Sequence, residues 1–360
     1  MIRLLSLALL LIAATPALAE STAIYEGTAG PAQLVVQLTD DNGSISGTYF
    51  YRRTRLDIAL SGQRHGNAMD LSADITKDKM SLTQSGAGLV GFLTTAKGKR
   101  LPVSLHPAAA PSDAPAALPA GADLYEHLRL AGLKLVPQET EAQNGKIIRW
   151  YREPLTGIRL FRIESGYAPP AMAAINHTLA QHQWSTVSDY LQCTGSDGGP
   201  GMDNDKADKP WLGAAYVSYV WRSSWDCAGT AHPDFSAEGH SFDARSGREL
   251  TLDEILPKGH GPIPPENDNN SAWLNYRSAV FAPAVVALMK QYHAAEMAPP
   301  KTDDDCDYTG SDAWAFPSWV LTEKGLWLGA VNGRAMRACD SPDWAIVPWA
   351  ALPKTSAAGR

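Results

Sequence analysis

Short runs of alternating apolar and polar residues follow one another in the N-terminal part of the chain. Alternation with a period of two places the apolar side chains on one face of a strand, and turn sequences such as DDNG and KGK separate the runs. Because no helical pattern interrupts these strands, they predict an antiparallel meander, closed or nearly closed into a small barrel. The runs are QLVVQLT (33–39), ISGTYFY (45–51), LDIALSG (56–62), AMDLSAD (68–74), GLVGFLT (88–94) and LPVSLH (101–106).

The pattern beyond residue 123 mixes helical and strand periodicities. Pro169 opens a helix with apolar residues at helical spacing, and a second helix is predicted to begin at Ser271 as its N-cap. Pro283 is expected to kink or split the second helix. Strands are predicted in 214–225, 236–244 and the C-terminal runs WVLT, LWLGAV and AIVPWAAL. The whole chain therefore predicts an α+β fold: an N-terminal antiparallel β meander or barrel, then an antiparallel sheet with helices packed on one face.

Two segments of biased composition divide the chain. Residues 1–19 combine Arg3, an apolar run and an Ala-Leu-Ala cleavage site, which is the order of a secretory signal peptide. Residues 107–122, PAAAPSDAPAALPAGA, predict a linker between a β-rich module (20–106) and an α+β domain (123–360). No later apolar run reaches about 18 residues, so we expect a periplasmic or secreted protein without a transmembrane anchor.

Charge and cysteine content narrow the possible partners and the compartment. The net charge of −7 and the pI near 5.7 argue against nucleic-acid binding, which needs a basic surface. The four cysteines, an even number in an exported chain, predict two disulfides. Of the three possible pairings we favour Cys193–Cys227 and Cys306–Cys339, because each joins neighbours that flank a predicted strand pair. No C-x₂₋₄-C spacing supports a zinc site.

The stretch AGTAHPDFSAEGHSFDARSGRELTLDEIL (228–256) has the residue types of several active sites but no complete motif. Gly239–Asp243 lacks the second glycine of a nucleophile elbow, and His232 and His240 are not part of an H-E-x-x-H sequence. Gly247 fits a tight turn, and Thr251–Glu254 fits a capping box. The acidic loops at 203–208 and 301–312 do not follow the EF-hand pattern. We therefore expect no catalytic residue, metal or other cofactor.

The same stretch resembles the signature of an extracytoplasmic domain of unknown function. That domain occurs in the anti-sigma factor RsiV and in the peptidoglycan deacetylase PdaC. The resemblance covers about 160–354 and includes WVLTEKGLWLGAV and AIVPWAAL near the C-terminus. Residues 24–106 resemble a small exported β module with no assigned activity. The first resemblance implies binding of lysozyme or of peptidoglycan. It implies no deacetylase chemistry, because the catalytic domain of that enzyme is absent from this sequence.

The resemblance and the loop positions together predict a binding surface. Its ligand is expected to be a peptidoglycan fragment or a lysozyme-like hydrolase. Two further hypotheses are an envelope hydrolase with an unrecognised site and an envelope assembly or stress protein. A pocket that joins His232 or His240 to a carboxylate would favour the hydrolase. The predicted surface consists of Trp225, Thr230, His232, Pro233, Asp234, Asp305, Tyr308, Arg334 and Arg337.

Overall fold

The computed structural model describes residues 20–119, 121–203, 205–267, 269–302 and 305–353. The chain divides into two compact units between Ala110 and Pro111. The predicted signal peptide, residues 1–19, lies outside the described residues. In the segment interpreted as a linker, Pro107 ends the last strand of the first unit. Ala117 and Leu118 pack against a core of the second unit.

The first unit is a closed antiparallel β-barrel, as the alternating pattern predicted. Each strand pairs with the next one in sequence, and β1 pairs with β8 to close the barrel, with Gly27 opposite Leu105. Alternate residues such as Met69, Leu71, Met80 and Leu82 point into a packed core. The strands are β1 (Ser21–Ala29), β2 (Ala32–Asp41), β3 (Ser44–Tyr51), β4 (Ile58–His65), β5 (Ala68–Ser72), β6 (Lys79–Ser85), β7 (Gly88–Thr94) and β8 (Arg100–Pro107).

The second unit combines antiparallel sheets with helices, which confirms the predicted α+β class. Its strands are β9 (Val136–Gln143), β10 (Lys146–Arg152), β11 (Arg159–Ser165), β12 (Lys206–Ala207), β13 (Trp211–Leu212), β14 (Tyr216–Trp225), β15 (Asp234–Asp243), β16 (Ser318–Leu321), β17 (Gly325–Gly329) and β18 (Ile346–Pro348). Its helices are α1 (Leu124–Leu130), α2 (Pro169–Gln192), α3 (Leu252–Ile255), α4 (Ser271–Tyr276) and α5 (Ala282–Tyr292). Short 3₁₀ helices cover Asp312–Trp314, Arg334–Cys339 and Trp349–Ala351.

The hairpin formed by β14 and β15 is at the centre of this unit, and its two faces pack against different layers. Val217, Tyr219 and Trp221 face α2 and the β9–β11 sheet. Val220 faces the opposite way and packs with Val320 of β16. Because successive side chains of a strand alternate between faces, neighbouring residues of β14 belong to two different hydrophobic cores.

Local sequence signals account for the helix boundaries. Helix α2 begins at Pro169, as predicted, and α3 has the predicted capping box between Thr251 and Glu254. The N-cap of α4 is Asn270 rather than Ser271, because the Asn270 side chain accepts the N–H of Ala272. A π-helical segment, Arg277–Phe281, follows α4, and α5 starts at Ala282, immediately before Pro283.

Both predicted disulfide pairs are present in the second unit. Cys193–Cys227 joins the end of α2 to the loop after β14. Cys306–Cys339 joins the segment before β16 to the 3₁₀ helix Arg334–Cys339. Two disulfides are typical of proteins that fold in an oxidising compartment outside the cytoplasm. Within the described ranges, none of the helices combines the length and the apolar character needed to cross a membrane.

Candidate functional site

Most of the predicted binding surface lies at the end of the β14–β15 hairpin. Trp225, the last residue of β14, pairs with Asp234, the first residue of β15. Thr230, His232 and Pro233 are exposed in the connecting loop. The Thr230 hydroxyl donates to the carbonyl of Cys227 at 2.6 Å, so the disulfide and this hydrogen bond shape the loop.

The structure brings the two predicted arginines to the same hairpin end. The guanidinium of Arg337 lies 3.1 Å from the carboxylate of Asp234, and that of Arg334 lies 3.7 Å from the same carboxylate. Arg337 also donates to the carbonyl of Phe235 and pairs with Asp340 at 2.7 Å. Its guanidinium lies 4.9 Å from the centroid of the exposed Phe235 ring. The charge of Asp234 is therefore neutralised within the chain.

Asp305 and Tyr308 do not join this group of residues. The Asp305 carboxylate accepts the backbone N–H groups of Lys301 and Thr302, as expected for a turn. Tyr308 is buried; its hydroxyl donates to the carbonyl of Cys339 at 2.8 Å, and its ring packs edge-on against Trp344. Tyr308 thus belongs to the core next to the second disulfide. The neighbouring residues 303–304 of the acidic loop lie outside the described residues.

The serine and the aspartate of the Gly239–Asp243 stretch have structural roles. Ser241 is buried and shares a hydrogen bond of 2.8 Å with Ser218, and it also accepts the N–H of Leu321. The Asp243 carboxylate accepts the N–H groups of Arg245 and Ser246 in the turn that follows β15. In the part of the chain that the structure describes, the hydrogen bonds of these two side chains are to Ser218, Leu321, Arg245 and Ser246.

Four polar side chains meet on the α2 face of the hairpin. Nδ1 of His240 lies 2.8 Å from Oε1 of Glu249, and Nε2 of His182 lies 3.6 Å from Oε2 of the same glutamate. Nδ1 of His182 forms a 2.9 Å hydrogen bond with the hydroxyl of Tyr219. The His240 ring is stacked on Tyr219 at 4.8 Å and lies 4.3 Å from the His182 ring. We call His182, Tyr219, His240 and Glu249 the histidine cluster.

Burial and neighbouring charges shift the protonation of the histidine cluster. Burial lowers the pKa of His182 to about 4, helped by His240, while Glu249 opposes the shift. Burial alone would raise the pKa of Glu249, but the hydrogen bond with His240 and the proximity of both imidazoles lower it. Burial raises the pKa of Tyr219 far above its usual value. At neutral pH the cluster thus offers a neutral imidazole at His182 beside a carboxylate.

A separate cavity opens on the other face of β14. Its volume is about 250 Å³, and Trp211 and Trp327 contribute indole rings to its wall. The indole N–H of Trp327 donates to the carbonyl of Pro342 at 2.9 Å, which fixes that ring. Charged groups complete the lining: Arg222, Glu323, Lys324 and Asp343. The lining thus combines two indole rings with four charged side chains and can contact both apolar and polar groups of a small ligand.

None of the nine residues predicted for the binding surface lines this cavity, and His182 was not predicted as a site residue. Strand alternation could have placed Val220 and Arg222 on the face opposite Tyr219. No local signal connects them to the turn between β16 and β17. His182 lies on a helix far from His240 in sequence, and only tertiary packing brings the two together.

No protein-family model matches the chain, and a search of curated proteins finds no significant match. The resemblance to the domain found in RsiV and PdaC therefore stays a prediction.

Proposed function

We propose that this protein is an exported, non-enzymatic cell-envelope protein that binds peptidoglycan fragments in the cavity lined by Trp211 and Trp327. The observation that carries the proposal is the chemistry of that cavity. Indole faces pack well against the apolar C–H faces of sugar rings. Carboxylate side chains accept hydrogen bonds from hydroxyl and amide groups, and cationic side chains donate hydrogen bonds to the oxygens of these groups. A wall fragment carries both kinds of surface.

The charges around the cavity also suit such a ligand. Arg222 is held by Asp208 at 2.8 Å on one side of the site, and Lys324 is exposed in the turn between β16 and β17. Lys324 can pair with a carboxylate of a peptidoglycan peptide stem, whereas the charge of Arg222 is already compensated by Asp208. Glu323 and Asp343 can accept hydrogen bonds from sugar hydroxyl groups.

A lysozyme-like protein is a weaker candidate at the hairpin end. Attraction of a basic partner needs unpaired negative charge on the binding surface. Asp234 is the acidic residue predicted for that part of the surface, and it is paired with Arg334 and Arg337. Arg337 is in turn paired with Asp340. These ion pairs lower the negative field that a cationic enzyme would encounter.

A hydrolase is the second candidate, because His240 is joined to the carboxylate of Glu249. The histidine cluster lies on the α2 face of the β14–β15 hairpin, whereas Val220 lines the cavity on the opposite face. A ligand in the cavity would therefore be separated by the sheet from the pair formed by His240 and Glu249. This separation favours binding over hydrolysis.

Calorimetric titration of the oxidised chain 20–360 with soluble peptidoglycan fragments tests the proposal. We expect saturable binding that Trp211→Ala weakens at least about tenfold, equivalent to about 1.4 kcal/mol. Lys324→Ala, an exposed change that spares the core, should also weaken binding. Tyr292→Ala removes an exposed aromatic ring outside the cavity and should bind like the wild type.

Three results would contradict the proposal. The first is the absence of fragment binding, and the second is equal affinity of the wild type, Trp211→Ala and Lys324→Ala. The third is release of smaller products from the fragments during the titration, which chromatography of the mixture detects and which would indicate a hydrolase. Immobilised lysozyme, at low and moderate salt, tests the alternative partner, because charge-driven binding weakens as salt increases.

A further inference from the structure

We propose that His182, His240 and Glu249 bind a single divalent transition-metal ion of the Zn²⁺ class. The three residues come from α2, from β15 and from the segment after the turn that follows β15. One donor atom of each lies within 4.8 Å of the donor atoms of the other two. This site is distinct from the cavity of the proposed function.

The donor set matches the preferences of zinc. Zn²⁺ binds imidazole nitrogen and carboxylate oxygen at about 2.0–2.2 Å, and two histidines with one glutamate form the protein ligands of known catalytic zinc sites. In a tetrahedral site with such bonds, neighbouring ligand atoms lie roughly 3.3–3.5 Å apart. The distances of 2.8 Å from His240 to Glu249 and 3.6 Å from His182 to Glu249 lie on either side of that spacing. These two distances run to different oxygens of Glu249, and the three donor atoms lie within 4.8 Å of one another, so the side chains would have to draw together to enclose an ion.

A neighbouring hydrogen bond orients one of the ligands. The hydroxyl of Tyr219 lies 2.9 Å from Nδ1 of His182, so Nε2 of that ring faces Glu249. Tyr219 is fully buried and also stacks on the ring of His240. Partners of this kind hold metal-binding histidines in position and are required for high affinity. The fold thus restricts two of the three ligands before an ion arrives.

The cluster is accessible from solvent on one side. The side chains of His182, His240 and Glu249 are 25%, 20% and 36% exposed, respectively. A metal ion can enter by this side, and its fourth coordination position would face solvent. Three protein ligands and one open position distinguish such a site from a closed structural zinc site, which has four protein ligands.

The charge of the ion is compensated in part by Glu249. In the hydrogen bond between His240 and Glu249, a hydrogen lies between the two side chains. A cation bound at Nδ1 of His240 would displace that hydrogen to solvent, and the neutral imidazole ligand would then carry its single hydrogen, taken from solvent, on Nε2. Glu249 then supplies one negative charge, and a water molecule or an anionic group of a ligand would occupy the open position.

The test is calorimetric titration of the oxidised, untagged chain 20–360 with Zn²⁺ after treatment with EDTA. We expect one ion per chain and a melting temperature that rises with the concentration of free Zn²⁺, because the ion binds the folded state. His182→Ala and Glu249→Gln should each weaken binding at least about tenfold, since each removes a direct ligand. His177→Ala removes an exposed histidine from the same helix and should bind Zn²⁺ like the wild type.

Two further measurements keep the proposal testable if a ligand variant folds poorly. Tyr219→Phe keeps all three ligands and should weaken binding less than His182→Ala does. Co²⁺ added to the wild type should give the intense visible absorption of a four-coordinate site, and Zn²⁺ should displace it. The proposal fails if the wild type binds no Zn²⁺, if Co²⁺ stays six-coordinate, or if His182→Ala and Glu249→Gln bind as tightly as His177→Ala.

Discussion

Arg277 and Asp253 form a buried ion pair: Nη1 of Arg277 donates to Oδ1 of Asp253 at 2.8 Å, with only 4% and 10% of the two side chains exposed. The other carboxylate oxygen accepts the indole N–H of Trp273 at 2.9 Å. Nε of Arg277 donates to the carbonyl of Ala315 at 2.7 Å. The pair thus joins α3, α4, the π-helical segment and the chain before β16.

Removing one member of this pair should destabilise the protein strongly. Asp253→Ala leaves the Arg277 guanidinium buried without its counter-charge, which costs about 3–5 kcal/mol of the free energy of unfolding. The double variant Asp253→Ala/Arg277→Met removes both charges and should recover part of that loss. Urea unfolding, followed by tryptophan fluorescence, measures the differences.

The exposed pair between Arg248 and Glu254 provides the control. Its members are 54% and 41% exposed, so Arg248→Met should cost about 1 kcal/mol or less. If Asp253→Ala cost no more than Arg248→Met, the buried pair would not be a determinant of stability.

The barrel illustrates what periodicity can and cannot predict. Strands with a run of large apolar residues, such as β2 and β7, were predicted from their alternation. Strand β6 was missed, although Met80 and Leu82 are both buried and alternate correctly, because only polar residues surround them. The first strand was also missed, because its apolar residues Ala23, Ile24 and Tyr25 are consecutive rather than alternating, and its pairing with β8 depends on closure of the whole barrel.

The histidine cluster shows more clearly which contacts cannot be predicted from the sequence. The predicted turn at Gly247, where φ is +77°, folds the chain back so that Glu249 is bridged to Phe242 and reaches His240. The contact between His240 and Glu249 therefore follows from local sequence. The other half of the cluster requires α2 to pack on the β14–β15 hairpin with His182 opposite His240. This arrangement is set by the packing of Leu179 and its neighbours and by no local motif.

The stability of the metal-free protein should depend on pH through His182. This side chain faces His240 on β15, Glu249 after the turn, Tyr219 on β14 and Arg162 on β11. Burial is the largest of the influences that lower its pKa to about 4 in the folded state. An unfolded histidine has a pKa of about 6.5, so below that pH the unfolded chain binds a proton that the folded chain does not.

The free energy of unfolding should therefore decrease as the pH falls below this value. The contribution of His182 to stability is complete above about pH 6.5, and it decreases by about 3 kcal/mol as the pH falls towards the folded-state value. His182→Gln cannot take up this proton, so its free energy of unfolding should vary less between pH 7 and pH 4. His177→Gln, an exposed change on the same helix, should keep the wild-type slope. Urea titrations at several pH values with EDTA present provide the measurement, and equal slopes for the three proteins would contradict the prediction.

Gly239 of β15 lies at the closest approach of two layers. A Cβ atom built on Gly239 would lie 2.0 Å from the carbonyl oxygen of Trp319 in β16, well inside contact distance. The group it meets is backbone, so a side-chain rotation cannot relieve the clash. Gly239→Ala should therefore separate the β14–β15 hairpin from β16 and destabilise the protein by about 1–3 kcal/mol or more.

Gly310→Ala is the matched change, because its Cβ would meet no atom within 4 Å. It should leave the urea midpoint close to the wild-type value.

Gly239→Ala should also disturb Trp211 and Trp327, since the cavity is lined by β14 and by strands of the sheet that contains β16. We therefore expect the change at Gly239 to lower the affinity for peptidoglycan fragments as well as the stability. A variant that unfolds at the wild-type urea concentration and binds normally would show that the contact between β15 and β16 determines neither property.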